Sequence, residues 1–292
     1  MKPTLSIIIV NYNTRNILRD CLNNLNGKYE PMEIVVVDNS STDGSAEMAA
    51  DEFSQVNLIR HENKGLAAGY NQGIAHANGQ YLLFLGSDAF PQSGTIAGII
   101  EYLEGNKGVG IATAKLILRN GGLDWDAHRG FPTPWNAFTH FSGLEKFFPK
   151  SKLFGQYFKG WENMEEIHEI DMCISHFMLV KKEVFSQIGL WDESYWLYGE
   201  DVDLCYRVKQ AGWKVMYLPR WQAIHYKGAS VGVRKQSQDF SAKISAETKA
   251  KARQASIKAM EIFYNKHYAN RYSSIITKLI MLGIKILAKV RG

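Results

Sequence analysis

Three sets of residues in this 292-residue chain have types and spacings suited to chemistry. The first is acidic. Glu200 and Asp201 open a helical pattern that runs to Ala211 and closes at Gly212. Carboxylates in a first helical turn face the positive end of the helix dipole, which favours their ionised form by about 0.3–1 kcal/mol per charge. An ionised carboxylate there could serve as a general base. The second is Asp88, directly after Leu82-Leu83-Phe84-Leu85-Gly86-Ser87. A carboxylate at a strand end can hold Mg2+ or Mn2+, cations that prefer oxygen ligands and bridge diphosphates. The third is His225, which the patterning places on a short loop after a strand over 214–218. Imidazole is a common ligand of Mn2+-type ions. Each group also has a structural reading: acids cap helices and turns, and a single histidine can simply pack. Gly65, Gly69 and Gly73 are spaced by four, which is not the dinucleotide fingerprint, and no Lys-Ser/Thr phosphate loop occurs. A nucleotide would have to bind through acids and metal.

The elements that position these groups follow from hydrophobic period. Leu5 to Val10 is an unbroken apolar run, apart from Ser6, of the kind buried on both faces of a parallel sheet. Ile17, Leu18, Cys21, Leu22 and Leu25 then fall at helical spacing. Further strands are predicted over 33–37, 56–59 and 81–85, with helices over 45–53 and 66–77. Strand and helix in alternation predict an α/β, doubly wound sheet with helices on both faces. Ligands of such sheets sit at the carboxyl ends of the strands. Those ends carry Asn11, Asp38-Asn39-Ser40 and Ser87-Asp88.

Residues 119–170 have weak periodicity and many aromatic residues, including Trp125, Trp135 and Trp161. They read as a long, partly irregular insertion over the sheet, either an aromatic subdomain core or a platform for sugar faces. A strand over 178–180 and a short helix over 183–188 follow, and the tail holds two helical segments, 246–267 and 273–290.

Hydrophobic residues make up 46% and charged residues 22%, which excludes a disordered or fibrous chain. Cys21, Cys173 and Cys205 form no close pair, which excludes a disulfide scaffold or Cys-rich zinc site and favours a reducing compartment. No stretch of about 20 apolar residues predicts a membrane span. The run ending at Val10 is too short for a signal-peptide core. A cytoplasmic protein is expected. Charge is uneven: residues 1–226 carry −6 and residues 227–292 carry +11, for a net +5. Such a tail suits an anionic partner. In its last helix Lys278, Lys285 and Lys289 share one face, with Ile276, Leu279, Ile280, Ile284, Leu287 and Val290 over much of the rest. That pattern fits a bilayer interface, and equally a helix docked on protein.

Five ordered blocks resemble family 2 glycosyltransferases, particularly their bacterial rhamnosyltransferase-like branch. They are Leu5 to Asn13, Val35 to Ser45, Asn63 to Asn71, Gly199 to Arg207 and Ala223 to Tyr226, and the likeness extends over residues 4–268. The resemblance implies a GT-A fold, with a nucleotide-sugar-binding half over 1–118, an acceptor-binding half over 119–235 and a basic helical extension over 236–292. It implies inverting transfer from a dTDP- or UDP-sugar to a glycan or lipid-linked acceptor. By position, Asn11 and Asp38 would hold base and ribose, with Asn71 near the ribose or diphosphate. Asp88 and His225 would bind Mn2+ or Mg2+, and Asp201, supported by Glu200, would deprotonate the acceptor. Two segments depart from the family pattern. Gly86-Ser87-Asp88 stands where Asn-Pro-Asp is common, and Ile174-Ser175-His176-Phe177 where a Ser-Gly-Ala-like segment is usual. His176 would either narrow a sugar or acceptor pocket, to which Trp191 and Asp192 would also belong, or be a buried structural residue.

Two other classes compete. A sugar-phosphate nucleotidyltransferase would use similar carboxylate and metal chemistry, but Asn11-Tyr12-Asn13-Thr14 lacks its Gly-rich basic loop. A non-catalytic sugar-nucleotide-binding module would use the tail to recruit a partner. Tyr264, Tyr268 and Tyr272 among basic residues could face nucleic acid, yet the apolar stretch from Ile275 suits lipid or protein better, so no nucleic-acid partner is expected. The tail could equally join copies of the chain into an oligomer.

Overall fold

The computed structural model describes residues 4–227 and 246–291. The chain begins β1 (Leu5–Asn11), α1 (Arg15–Leu25), β2 (Met32–Asp38), α2 (Ser45–Glu52), β3 (Val56–Arg60), α3 (Leu66–His76) and β4 (Tyr81–Leu85). It continues with β5 (Ala89–Pro91), α4 (Thr95–Gly105), β6 (Val109–Leu118), α5 (Pro134–Phe141), α6 (Leu144–Phe147), β7 (His168–Ile170), β8 (Phe177–Lys181), α7 (Lys182–Ile188), α8 (Glu200–Gln210) and β9 (Lys214–His225). After residues 228–245 come α9 (Ala246–His267) and α10 (Ser274–Arg291). The boundary expected at 235/236 lies outside the described residues.

One nine-stranded sheet has the order β3-β2-β1-β4-β8-β6-β9-β5, with β7 paired to β9. β1, β2, β3, β4, β6 and β9 share one direction, and β5, β7 and β8 run against it. Alternation along β1 and β2 divides the core in two. Ile7, Ile9, Ile34 and Val36 face α1 and α4, meeting Leu18, Leu22, Ile96 and Ile99. Ile8, Val35 and Val37 face α3 and α8, meeting Ala67, Tyr70, Ile74 and Leu204. Successive strand residues point to opposite faces, so helices must cover both sides. The expected doubly wound arrangement is therefore present.

Two strands differ from the patterning. Residues 89–118, for which the hydrophobic period names no element, supply β5, α4 and the ten-residue β6. β6 carries Gly110, Ala112, Thr113 and Ala114, whose small side chains mute its apolar signal. β9 does not stop at Leu218. It passes Pro219 through a register shift, in which Ala114 pairs Leu218 but Lys115 pairs Gln222. A bulge accommodates a proline that cannot donate to the ladder. His225 is thus the last residue of β9 and not a loop residue, and it pairs with Ala89 beside Asp88.

The tail packs against the body. Phe263, Tyr264 and Tyr268 of α9 and its end close a core cluster with Tyr195 and Tyr206, to which Ile280 and Met281 of α10 add. The anchor is polar. Asp203 of α8, 0% exposed, pairs with Arg207 at 2.7 Å, Lys266 at 2.8 Å and His267 at 2.7 Å. Burial works to raise the Asp203 pKa, but bonds from His267 and Lys266 and the Arg207 charge outweigh it and lower it to about 2. Asp203→Ala should destabilise the protein by about 2–3 kcal/mol. This lies below the usual cost of breaking a buried pair because Lys266, 34% exposed, can rehydrate. A carboxylate with a depressed folded pKa contributes stability that is complete above about pH 4 and lost as pH falls toward 2. Urea titrations of wild type and variant from pH 7 to 3 check this: an unchanged difference at pH 3 refutes the role given to Asp203.

Candidate active site

The carboxyl ends of β1, β2 and β4 meet at one edge of the sheet, and the acids found there have different surroundings. Asp38, at the end of β2, lines a cleft of about 370 Å3 with Ser40, Ser41, Arg60, His61 and Glu62. Asn11, paired in register with Asp38, is fully buried. Its amide donates to Asp38 Oδ1 at 3.0 Å and to Ser41 Oγ at 3.1 Å. The Ser41 N–H donates to Asp38 Oδ2 at 2.9 Å. Asn11 therefore orients Asp38 from behind and does not itself line the cleft. Ser40, with φ +60, turns the chain over it.

Asn71 is elsewhere. Its amide donates to Trp191 O at 3.0 Å and Glu193 Oε1 at 2.8 Å, and its oxygen accepts from Trp191 N at 3.0 Å. These bonds fix the loop ahead of α8 to α3. Trp191 is 2% exposed, with its ring 4.8 Å from those of Tyr70 and Phe84, and packs in the core. Asp192 binds Lys266 at 2.5 Å and accepts from Ser194 N at 2.9 Å, which ties α9 to the same loop.

Asp88, His176 and His225 converge, with one donor atom from each within 4.8 Å of the others. His225 Nε2 lies 3.6 Å from Asp88 Oδ1, and His176 Nε2 lies 3.8 Å from the same oxygen. The other face of His225 is held by Asp124, which accepts from Nδ1 at 2.6 Å and also binds Lys227. Asp124, fully buried, follows β6 in the aromatic insertion, where weak periodicity gives no signal for it. Burial opposes charge on His225, but Asp88's charge and the Asp124 hydrogen bond prevail and raise its pKa to about 9. Burial also opposes the charge on Asp124, yet His225 and Lys227 hold it well below the usual carboxylate range. Burial and the His225 charge push His176 below the ordinary imidazole value.

The residues fit a divalent cation. A buried His225 Nε2 has no hydrogen-bond partner among the described residues, while Nδ1 is fixed by a carboxylate. This carboxylate–histidine pairing is the usual support of a metal-ligating imidazole. Losing a proton from His225 would accompany cation binding.

The acidic pair opens α8. Gly199 precedes it with φ +85, a conformation open to glycine, and no side chain caps the helix. Glu200 and Asp201 are therefore not caps. Both are buried, and this overturns the expectation that the helix dipole decides their charge. Burial raises Glu200 well above the carboxylate range, and the Asp201 charge raises it further. Burial also raises Asp201, but Arg129 opposes that rise. Arg129, held by Tyr157 OH at 3.1 Å, comes from the insertion and carried no sequence signal. Burial thus acts on both acids, and the Arg129 charge opposes it most at Asp201 and to a lesser degree at Glu200. Glu200 Oε2 has no hydrogen-bond partner among the described residues.

Comparison with known proteins shows the family and the fold. Residues 6–189 match the model of Glycosyl transferase family 2. The chain is similar to rhamnosyltransferase WbbL of Escherichia coli K12, 27% identical over 75% of this chain and 82% of that enzyme. It is similar to the N-acetylglucosaminyl-diphospho-decaprenol L-rhamnosyltransferase of Mycobacterium tuberculosis, 26% identical over 80% of this chain and 79% of that enzyme. Among solved structures it resembles GalNAc-T7 with UDP, GalNAc and Mn2+, with a TM-score of 0.58 and 17% identity. That match covers 92% of this chain but 58% of the other, and the fold they share is GT-A.

Proposed function

The chain belongs to glycosyl transferase family 2, and on that premise we propose that it moves a deoxyhexose such as rhamnose from a dTDP- or UDP-sugar to a lipid-linked glycan during surface polysaccharide synthesis. The observation that carries this reading is that the Asp38 cleft and the Asp88–His225–Asp124 cluster both lie at the carboxyl ends of the parallel strands, linked by hydrogen bonds from Asp38 through Asn11 and Thr14 to Ser87 beside Asp88. The first suits a ribose and base, the second a diphosphate. The rhamnosyltransferase relatives supply the sugar class.

In this reading Asp38 accepts from the ribose hydroxyls while Asn11 holds it in place. Asp88 and His225 would hold a divalent cation, which would supply positive charge against the departing nucleoside diphosphate. Asp201 takes the proton of the acceptor hydroxyl as its oxygen bonds the anomeric carbon and the bond to the diphosphate breaks on the opposite face. One displacement inverts the anomeric centre.

A panel of UDP-, dTDP- and GDP-sugars with Mn2+, repeated with EDTA, tests the reading. One donor class should be cleaved, and EDTA should stop it. Pyrophosphate release from a nucleoside triphosphate and a sugar phosphate would instead establish a nucleotidyltransferase, and cleavage indifferent to EDTA would remove the cation from the mechanism.

The tail adds a membrane-surface contact to the proposal. No helix among the described residues is long and apolar enough to cross a membrane. Ile284 of α10 is buried, while Ile275, Leu279, Leu282, Ile286 and Val290 are exposed. At 100° per residue these five form one stripe opposite Ile280 and Ile284, and exposed Lys278, Lys285 and Lys289 flank one edge of it. An apolar stripe edged with lysines suits an anionic lipid surface. The doubly substituted Leu279→Glu/Ile286→Glu protein should lose flotation on anionic vesicles while its thermal unfolding is unchanged. Equal flotation of both proteins would refute the contact.

A further inference from the structure

The place of His176 in the fold has a consequence for the cation. Its residue precedes β8, and its carbonyl accepts the Gly86 N–H at 3.0 Å, which locks the two segments side by side. A Cβ at residue 86 would lie 2.7 Å from His176 Cδ2 and 2.9 Å from Asp88 Oδ1. The imidazole therefore fills the space a side chain at 86 would need, and the absence of one lets the ring reach Asp88. Its ring centroid lies 4.5 Å from that of His225. The His176 side chain is 35% exposed while those of Asp88 and His225 are each 3% exposed, so the cluster opens on its side.

We infer that His176 is a third protein ligand of the cation that Asp88 and His225 hold, giving a centre of one carboxylate and two imidazoles that selects Mn2+ over Mg2+. The inference rests on the cation reading of the proposed function. Separations of 3.6 and 3.8 Å from one carboxylate oxygen lie within the limit of about 4 Å for ligand atoms each about 2 Å from a common ion, so a small inward movement closes the site. Imidazole favours transition-metal ions, whereas Mg2+ favours oxygen and water, so the second imidazole shifts preference rather than simply adding affinity. The pocket role expected of His176 gives way to this one, because the ring turns toward Asp88.

The test uses the full-length protein and Mn2+ alone, then Mn2+ with UDP. Pulsed electron paramagnetic resonance counts nitrogens bonded directly to Mn2+. Wild type should show two and His176→Gln one, since glutamine offers an oxygen at similar reach. His176→Gln should weaken Mn2+ binding by about 10- to 100-fold, a loss typical of damage to a metal site, and Mg2+ binding far less. A count of one nitrogen in wild type overturns the inference while leaving Asp88 and His225 as ligands. No bound Mn2+ in wild type, with or without UDP, overturns the inference and the cation reading together. The wild-type count needs no variant, so a misfolded His176→Gln protein would not rescue a failed inference.

Discussion

Asp201→Asn should fold, bind nucleotide-sugar and lose transfer by about 10²–10⁴-fold, the usual range for removal of a general base. The substitution keeps the side chain's shape and its bond from Val202 N, at 2.8 Å, while removing the basic oxygen. Because burial raises Asp201, transfer should switch on with rising pH above the ordinary carboxylate range. Removing the Arg129 charge takes away the group that opposes this rise. Arg129→Met should therefore move the acid limb of the pH–rate profile to higher pH, and Arg129→Lys should move it less. Near wild-type turnover in Asp201→Asn would end the assignment. If Glu200→Gln lost more activity than Asp201→Asn, the two acids would exchange roles.

The second large effect is expected at the other end of the reaction. His225→Ala removes one imidazole from a cluster of three donors and should reduce cation-dependent transfer below detection at Mn2+ concentrations that saturate wild type. Asp124→Asn is the graded companion. It leaves the ligands in place but replaces the carboxylate that fixes the His225 ring, and damage to such supports typically costs about 10- to 100-fold in metal affinity. Excess Mn2+ should restore Asp124→Asn and not His225→Ala. Isothermal titration with Mn2+, alongside thermal unfolding, separates lost binding from lost fold. Full, EDTA-insensitive activity in His225→Ala would refute the cation site.

Much of the scaffold was legible in the chain because its signals are local. Ile17, Leu18, Cys21, Leu22 and Leu25 are the buried residues of α1, as helical spacing requires. The carboxyl ends of the parallel strands follow from the same periodicity, so the edge bearing Asp38 and Asp88 could be found without coordinates. The extent of β9 could not. Pro219 breaks the local pattern, and only pairing with β6 shows the strand resuming as far as His225.

Residue type by itself does not show what a group touches. The resemblance places Asn71 near a ribose or diphosphate and Trp191 beside a pocket, and the structure shows Asn71 bonded to the loop ahead of α8 and Trp191 packed in the core. Asp203 has the same chemistry as Asp201, two positions away, but it faces Lys266 and His267 and serves as an anchor. Such neighbours part because successive helical positions point 100° apart, and what lies opposite each is set by packing.

The sequence alone determined the α/β class, the family resemblance and the acids available for chemistry, because these depend on residue type and short-range period. Tertiary structure decided which acids are buried and what charge faces them, what stands behind His225, and where His176 points. Burial raises Glu200 and Asp201 against the helix dipole, Arg129 restrains Asp201 from a separate insertion, and Asp124 meets His225 across 101 positions of chain. Desolvation and charge pairing depend on distance in space, and only the closed sheet brings these residues within a few ångströms of one another.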